Sequence, residues 1–211
     1  MHLPPDPAGL LVAGLHGEEP ETVLLARRLV ERVPAAACSY AIVVCANPDG
    51  VADGVRQNAR GVDLNRNFPS RSWRPGTSYT FPPGLAGPAR VAANRTNASS
   101  TGTAPLSEPE AAALHALVER LQPALVVDLH APLEVVLATE HAPAPVAQAL
   151  GEAAGMRVLQ ELGSPTPGAL RDWLFDRGVG SITYEVEHAG LPQLLQRHLP
   201  GLLQLVRSAP A

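Results

Sequence analysis

The sequence predicts an α/β fold, with one domain built on a mixed, mostly parallel sheet flanked by helices. Short apolar runs alternate along the chain with amphipathic helical patterns, as they do when helices cover both faces of a sheet. The 211 residues are about one domain's length, and 45% of them are hydrophobic, enough for a sizeable core. The 18 glycines and 22 prolines are less than a fifth of the chain, below the share typical of disordered chains. We therefore expect residues 1–211 to form a single domain.

The first 50 residues predict a strand, a helix and a second strand. Residues 10–15 are an unbroken apolar run, which is typical of a buried strand. Residues 20–33 repeat apolar side chains at helical spacing, and residues 40–45 form a second buried strand. Residues 47–50 read Asn-Pro-Asp-Gly, and the proline and glycine of this motif favour a tight turn.

The second half of the chain predicts further helices and strands. A helix over 107–121 begins with a capping box, in which Ser107 caps the first turn, Pro109 occupies it and Glu110 completes the box. Strands are predicted at 124–129, 134–138, 157–162 and 181–187, and helices at 144–154, 167–176 and 191–206.

Residues 69–106 interrupt this alternation. They are rich in Pro, Gly, Ser, Thr and Asn, yet they carry Trp73, Tyr79 and Phe81. A structureless segment of this length inside a compact domain is usually functional or disordered. We expect a long loop here that covers the functional site.

The distribution of charge excludes several functional classes. The formal net charge is −4, and the chain has no block of like charges, which argues against nucleic acid or an anionic membrane as a partner. All 16 lysine-plus-arginine positions are arginine, which excludes a Schiff-base lysine and the lysine of a phosphate-binding loop. Anion binding must therefore use arginine, the backbone or a metal.

The cysteines and the start of the chain bear on location. Cys38 and Cys45 are separated by an apolar stretch, which predicts two buried thiols rather than a disulfide or a metal clip. The first residues lack the cationic and apolar regions of a signal peptide, and no window reaches the ~18 apolar residues of a membrane span. We expect a cytoplasmic protein with no membrane segment.

Three residues form a candidate metal site. His16 and Glu19 lie where the first predicted strand turns into a helix, and His130 follows another buried strand. Open α/β sheets bind ligands at the carboxyl ends of their strands. Two histidines and one glutamate are a ligand set of catalytic zinc sites, in which the fourth position holds water. The competing ligands are the carboxylate of Glu18 and the imidazoles of His115 and His141.

The segment 56–69 combines three arginines with asparagine and aspartate. The arginines are Arg56, Arg60 and Arg66. Arginine presents planar, paired donors that match a carboxylate, so this segment indicates a site for an anionic substrate or intermediate. A solvated loop of salt bridges is the alternative.

Two acidic residues lie on the predicted strand 181–187. The side-chain period of two places Glu185 and Glu187 on the face opposite Tyr184. A carboxylate next to a zinc-bound water could accept its proton as a general base. Solvent-exposed acids of an edge strand are the alternative.

Together these segments resemble the zinc metallocarboxypeptidase family, and most closely its short bacterial branch, the murein peptide amidases. The most specific match is Gly-Val-Asp-Leu-Asn-Arg-Asn-Phe-Pro at 61–69, and the resemblance covers most of the chain. The other matching motifs lie at 14–19, 47–50, 56–60, 107–110, 128–130 and 182–185.

The resemblance implies a zinc carboxypeptidase-like α/β fold with one zinc ion per chain. In this family the ligands would be His16, Glu19 and His130. The resemblance assigns Glu185 as the general base, and Arg56 as the group that polarises the scissile carbonyl and holds the oxyanion.

The resemblance also implies a small peptide substrate. Asn65 and Arg66 would hold its terminal carboxylate. In the murein peptide amidase branch the reaction is hydrolysis of the γ-D-glutamyl to meso-diaminopimelate bond, in tripeptides recovered during cell-wall recycling. We expect a monomer or homodimer that acts on such a peptide.

Two alternatives stay open. The first is a deacylase of the same superfamily that acts on an N-acyl amino acid, as succinylglutamate desuccinylase and aspartoacylase do. The second is a peptide-binding protein that retains the fold and the metal but has lost turnover. Glu185 and Arg56 argue against the second alternative, because binding alone needs no base.

Overall fold

The computed structural model describes residues 2–4, 6–76, 100–161 and 166–208 and has the predicted α/β class. Six strands form one sheet in the order β2-β1-β3-β6-β4-β5. The strands are β1 (Gly9–Val12), β2 (Tyr40–Val43), β3 (Leu125–His130), β4 (Val135–Ala138), β5 (Arg157–Leu159) and β6 (Gly180–Glu185). The helices are α1 (Pro20–Arg32), α2 (Pro48–Asp53), α3 (Pro109–Leu121), α4 (Ala144–Ala154), α5 (Leu170–Asp176) and α6 (Leu191–Arg207), and short 3-10 turns lie at Ala35–Ala37 and Leu64–Arg66.

The sheet is mixed and mostly parallel, as predicted. Strand β4 runs antiparallel to β6, and the other four neighbouring pairs are parallel. Because β1, β3 and β6 are adjacent and parallel, their carboxyl ends meet at one edge of the sheet. Polar residues that follow these three strands are therefore brought together.

Apolar side chains cover both faces of the sheet. On one face, Leu11 and Tyr184 belong to a core shared with α1, α4 and α6. On the other face, Leu10 packs in a second core that contains Phe68 and Trp173. The alternation of Leu10 and Leu11 between the two cores follows the side-chain period of a strand.

Residues 47–50 begin a helix rather than forming the predicted tight turn. The Asn47 Oδ1 accepts a hydrogen bond from the Gly50 N–H at 3.0 Å, and Pro48 lies in the first turn of α2. Asparagine and proline suit a helix start as well as they suit a turn. The Val51 N–H bonds to the Asn47 carbonyl at 3.0 Å, so the chain continues as a helix until Gly54, whose φ is 66°.

The predicted capping box of α3 is wrong. The helix begins at Pro109, but its N-cap is Glu108, and no side chain caps the first turn. The Ser107 hydroxyl instead donates to the Glu108 carboxylate at 2.8 Å. The Glu110 carboxylate accepts from the Asn58 amide at 3.1 Å. The contact of Glu110 with Asn58, in a distant segment, has replaced the predicted local cap. Such a contact cannot be predicted from the sequence around the helix.

The long loop is tested only in part. Residues 77–99, with Tyr79 and Phe81, lie outside the described residues. The described flanks, 69–76 and 100–106, contain no helix or strand, and one isolated bridge joins Ser100 to Val62.

Two further sequence expectations concern thiols and membranes. Cys38 is a buried free thiol, and Cys45 is a half-buried one, so the two do not form a disulfide. Within the part of the chain that the structure describes, every helix is too short or too polar to cross a bilayer.

Candidate active site

The three candidate metal ligands meet at the carboxyl edge of the sheet. His16 follows β1 by four residues, Glu19 immediately precedes α1, and His130 is the last residue of β3. Strands β1 and β3 are parallel neighbours, so their ends are adjacent. The tight approach of Gly17 to Gly50 of α2 fixes the turn that carries His16 and Glu19.

The ligand atoms of these residues face one another. The His16 Nδ1 lies 2.8 Å from the Glu19 Oε1, and the His130 Nδ1 lies 3.1 Å from the Glu19 Oε2. The two histidine Nδ1 atoms are 3.1 Å apart. All three residues are buried, and one ligand atom of each lies within 4.8 Å of the others. Two imidazole nitrogens and a carboxylate that converge in this way fit a catalytic zinc ion.

Two further carboxylates orient the histidine rings. The Asp63 Oδ1 lies 3.2 Å from the His16 Nε2, and the Asp128 Oδ2 lies 2.9 Å from the His130 Nε2. Asp128 is within hydrogen-bonding geometry of the His130 Nε2, whereas Asp63 lies near the His16 Nε2 without an aligned hydrogen bond, and in both rings the Nδ1 side is directed at the shared centre. Histidine ligands of metals generally have such a partner on the second nitrogen.

The electrostatics of the cluster favour a cation. Burial alone would raise the pKa of Glu19, but the two histidines beside it hold that pKa below its usual range. Burial opposes a charged His130, yet Glu19 and Asp128 raise the pKa of its ring well above the usual value. The carboxylates thus stabilise positive charge on the His130 ring, at the place where a metal ion would supply it.

The competing ligands lie elsewhere. The Glu18 carboxylate is 3.5 Å from the Arg56 guanidinium. The His115 ring packs 4.7 Å from the Trp173 ring, and the His141 ring lies 4.9 Å from that of Phe175. Among the described residues, only His16, Glu19 and His130 form a cluster able to hold a metal ion.

Glu185 lies beside this cluster. It is the last residue of β6 and pairs with His130 across the parallel strands β3 and β6. Its Oε2 accepts a hydrogen bond from the Leu133 N–H at 3.3 Å. Burial raises the pKa of Glu185 to about 7, although the nearby His130 opposes the shift. A carboxyl group with such a pKa exchanges protons readily near neutral pH.

Glu187 does not share the face of Glu185, contrary to the sequence expectation. Its Oε2 lies 2.6 Å from the His198 Nε2, and the His198 Nδ1 lies 2.9 Å from the Tyr184 hydroxyl. Glu187 is therefore on the Tyr184 side. The strand ends at Glu185, so the period of two no longer applies two residues later.

Arg56 borders the cluster on another side. Its Nε donates to the Asp63 Oδ2 at 2.7 Å, and its Nη1 lies 3.3 Å from the His16 Nδ1. Burial opposes its charge, but Asp63, Glu19 and Glu18 raise the pKa of Arg56 above its usual value, so the guanidinium stays charged. Asp63 thus connects this arginine to a candidate metal ligand.

Asn65 and Arg66 occupy the 3-10 turn that follows Asp63. The Asn65 Oδ1 accepts from the Leu170 N–H at 2.9 Å, and its Nδ2 lies 3.5 Å from the His130 Nε2. The Arg66 Nη1 donates to the Asn65 carbonyl at 2.5 Å. Arg66 is 2% exposed, so its side chain is almost completely buried in this structure.

The segment 56–69 is fixed to the start of α3 by two buried asparagines. The Asn58 Nδ2 donates to Glu108 at 2.7 Å. The Asn67 Nδ2 donates to the carbonyls of Thr101 and Ala104 at 2.8 and 3.0 Å, and its Oδ1 accepts from the Glu108 N–H. Neither these anchors nor the roles of Asp63 and Asp128 were predicted from the sequence. For Asp128 a signal exists, because it lies two residues before His130 in a strand and so shares its face.

Comparison with known proteins agrees with this geometry. A family model described as zinc carboxypeptidase matches residues 2–174. Murein peptide amidase A of Escherichia coli K12 is 33% identical over 204 residues, which cover 96% of this chain and 81% of that protein. Murein peptide amidase A of Vibrio campbellii is 30% identical over 203 residues, covering 96% and 78%.

Solved structures also resemble this chain. The crystal structure of murein-tripeptide amidase from Escherichia coli O157 aligns with a TM-score of 0.84 and 33% identity, covering 97% of this chain and 83% of that one. The thrombin-activatable fibrinolysis inhibitor aligns with a TM-score of 0.71 and 19% identity over 95% of this chain and 61% of that one, which is a likeness of fold. With its His-Glu-His cluster at the carboxyl edge of this sheet, the chain belongs to the zinc carboxypeptidase family.

Proposed function

We propose that this protein is a zinc-dependent amidase that hydrolyses a peptide amide bond near a free carboxylate. The observation that carries the proposal is the buried cluster of His16, Glu19 and His130, with Glu185 next to it on the neighbouring strand. A metal-binding protein without turnover would not need a buried carboxyl group of raised pKa at this place.

One zinc ion per chain would be held by the two histidine Nδ1 atoms and the Glu19 carboxylate. When bound, zinc supplies Lewis-acid chemistry, which lowers the pKa of a water to about 7 and polarises a carbonyl oxygen. Asp63 and Asp128 keep the two histidine rings in the orientation that this binding requires.

Glu185 moves the proton in the proposed mechanism. Its carboxylate takes a proton from the attacking water and then gives that proton to the leaving amine. A buried carboxyl with a pKa of about 7 suits both steps, because it is neither a very weak base nor a very weak acid at neutral pH. Its position opposite His130 in the strand register supports this role.

Arg56 stabilises the negative charge that develops on the carbonyl oxygen. Its guanidinium is permanently charged, is fixed by Asp63 at 2.7 Å, and lies at the edge of the metal cluster. A donor that is already oriented needs no rearrangement when the charge develops, which makes such groups effective in catalysis.

Asn65 and Arg66 bind the free carboxylate of the substrate in this proposal. Asn65 lies against His130, so the carboxylate would be a short distance from the scissile bond. Arginine is suited to this role because its paired donors match a carboxylate. Since Arg66 is buried, we propose that substrate entry displaces the groups that cover it.

The substrate we favour is a murein tripeptide, cleaved between γ-D-glutamate and meso-diaminopimelate. Support comes from the relatives called murein peptide amidase A, at 33% and 30% identity over nearly all of this chain. We propose a cytoplasmic location and action on free peptides as a monomer or homodimer. The two free thiols fit a reducing compartment.

The test is release of diaminopimelate from the purified tripeptide. We expect release by the zinc-loaded protein, its loss on chelation, and a fall of about 10²- to 10⁴-fold in E185Q. Release of a carboxylic acid from N-acyl amino acids, with the tripeptide left intact, would favour the deacylase. Tight binding of the tripeptide without release would favour a binding protein.

A further inference from the structure

We propose that Thr183 is a positioning residue for the metal ligand His130 and acts through Asp128. The inference rests on the proposed zinc site and holds for any amide substrate. Its basis is a chain of two hydrogen bonds that crosses from β6 to β3 and ends on the ring of His130.

The register of the two strands places these groups together. Asp128 pairs with Thr183, and His130 pairs with Glu185, in the parallel ladder of β3 and β6. Residues two apart in a strand share a face, so all four side chains project to the same side of the sheet. Tyr184 lies between Thr183 and Glu185 in sequence and packs in the core on the opposite face.

Asp128 uses one carboxylate oxygen for each neighbour. Its Oδ1 accepts from the Thr183 hydroxyl at 3.0 Å, and its Oδ2 lies 2.9 Å from the His130 Nε2. The three side chains are buried. The Thr183 hydroxyl therefore fixes the rotation of the carboxylate, and the carboxylate fixes the tilt of the imidazole and leaves its Nδ1 for the metal.

The same strand also carries the proposed base. Thr183 precedes Glu185 by two residues on β6. This strand therefore carries the proposed base and, through Thr183, also supports the proposed ligand His130 on β3. Removing the hydroxyl leaves a buried carboxylate oxygen without its donor, and the carboxylate is then free to turn. We expect this loss to weaken metal binding more than it weakens the fold.

The experiment measures zinc transfer from the zinc-loaded protein to a chromophoric chelator. We expect T183V, which keeps the shape but removes the hydroxyl, to bind zinc about 10-fold more weakly, and D128N to bind it about 10- to 100-fold more weakly. T183S retains the hydroxyl and should bind zinc as the wild type does. The control is S181A, because Ser181 is a buried residue of the same strand whose hydroxyl has no hydrogen-bond partner among the described residues.

A structural role for Thr183 predicts different results. T183V would then lower the melting temperature of the metal-free and zinc-loaded proteins equally, with zinc affinity equal to that of S181A, and this outcome would overturn the inference. Failure of T183S to restore affinity would also contradict it. A wild-type chain that binds no zinc would contradict the proposed function and the inference together, whereas zinc binding without amidase activity would contradict only the proposed substrate.

Discussion

Arg56 and Glu185 divide the proposed chemistry between a fixed charge and a mobile proton. Arg56 is held by Asp63, and its charge does not change at any accessible pH. Glu185 is held by one backbone hydrogen bond, and burial raises its pKa to about 7. These two residues should therefore respond differently to substitution and to pH.

Substitution of Arg56 should reduce turnover without unfolding the protein. We expect R56A to lower kcat about 10²- to 10³-fold, the usual cost of losing one oxyanion donor. The matched control is R60A, because Arg60 belongs to the same segment but is exposed, and among the described hydrogen bonds its side chain makes only the one to the Ser107 carbonyl, at 3.4 Å. Steady-state kinetics of the two variants measure the difference. Near-wild-type turnover in R56A would remove this residue from the mechanism.

The pH profile should report Glu185. The group acts as a base only when ionised, so kcat/KM should rise with pH as the carboxyl loses its proton. Without metal the pKa is about 7, and the positive charge of zinc favours the carboxylate, so the acidic limb should lie below pH 7. The measurement is kcat/KM against pH for the wild type and for E185Q. The same acidic limb in the residual activity of E185Q would assign it to another group.

At the scale of elements, the carboxyl ends of β1, β3 and β6 assemble the site, and the turn between β1 and α1 completes it. Gly17 lies inside this turn, between the candidate ligands His16 and Glu19. A Cβ on Gly17 would lie 1.9 Å from the carbonyl carbon of Gly50, a backbone atom of α2 that no rotamer change can move. The close packing of α2 therefore sets the spacing of His16 and Glu19.

The variant G17A tests this contact. We expect it to lose at least about 1–3 kcal/mol of unfolding free energy, because overpacking forces the backbone to shift, and to bind zinc more weakly. Its control is G190A, since among the described residues a Cβ on Gly190 meets only the Pro192 Cδ, at 3.9 Å, and the φ of −67° suits alanine. Denaturant unfolding and zinc competition provide the two readouts. Equal stability of G17A and G190A would contradict the packing argument.

Sequence patterns predicted the order of the elements because each strand is a short apolar run and each helix has its own apolar face. They failed at the ends of elements, because contacts with distant residues determine where an element begins or ends. Asn58 binds Glu110 and so removes it from the predicted capping box, and β6 ends before Glu187, which turns to His198. The start of α2 was mistaken for a turn because the same residue types favour both structures.

In the whole molecule, the fold brings together candidate ligands that are 114 positions apart, from His16 to His130. The cluster of candidate metal ligands was predictable because the residue types and the family resemblance agree. Their supporting aspartates were missed, since only the strand register shows that Asp128 faces Thr183 and only the tertiary fold brings Asp63 to His16. The burial of Arg66 was also not predicted, because the exposure of a side chain depends on the tertiary fold.

We propose above that one zinc ion at the cluster of His16, Glu19 and His130 activates hydrolysis. Its most direct test is a titration of the metal-stripped protein with zinc, followed by the rate of diaminopimelate release from the murein tripeptide. We expect no release at the start, a rise in proportion to added zinc, and a plateau at one equivalent per chain, with no rise in H130A. Full release by the metal-stripped protein, or an equal plateau in H130A, would contradict the claim.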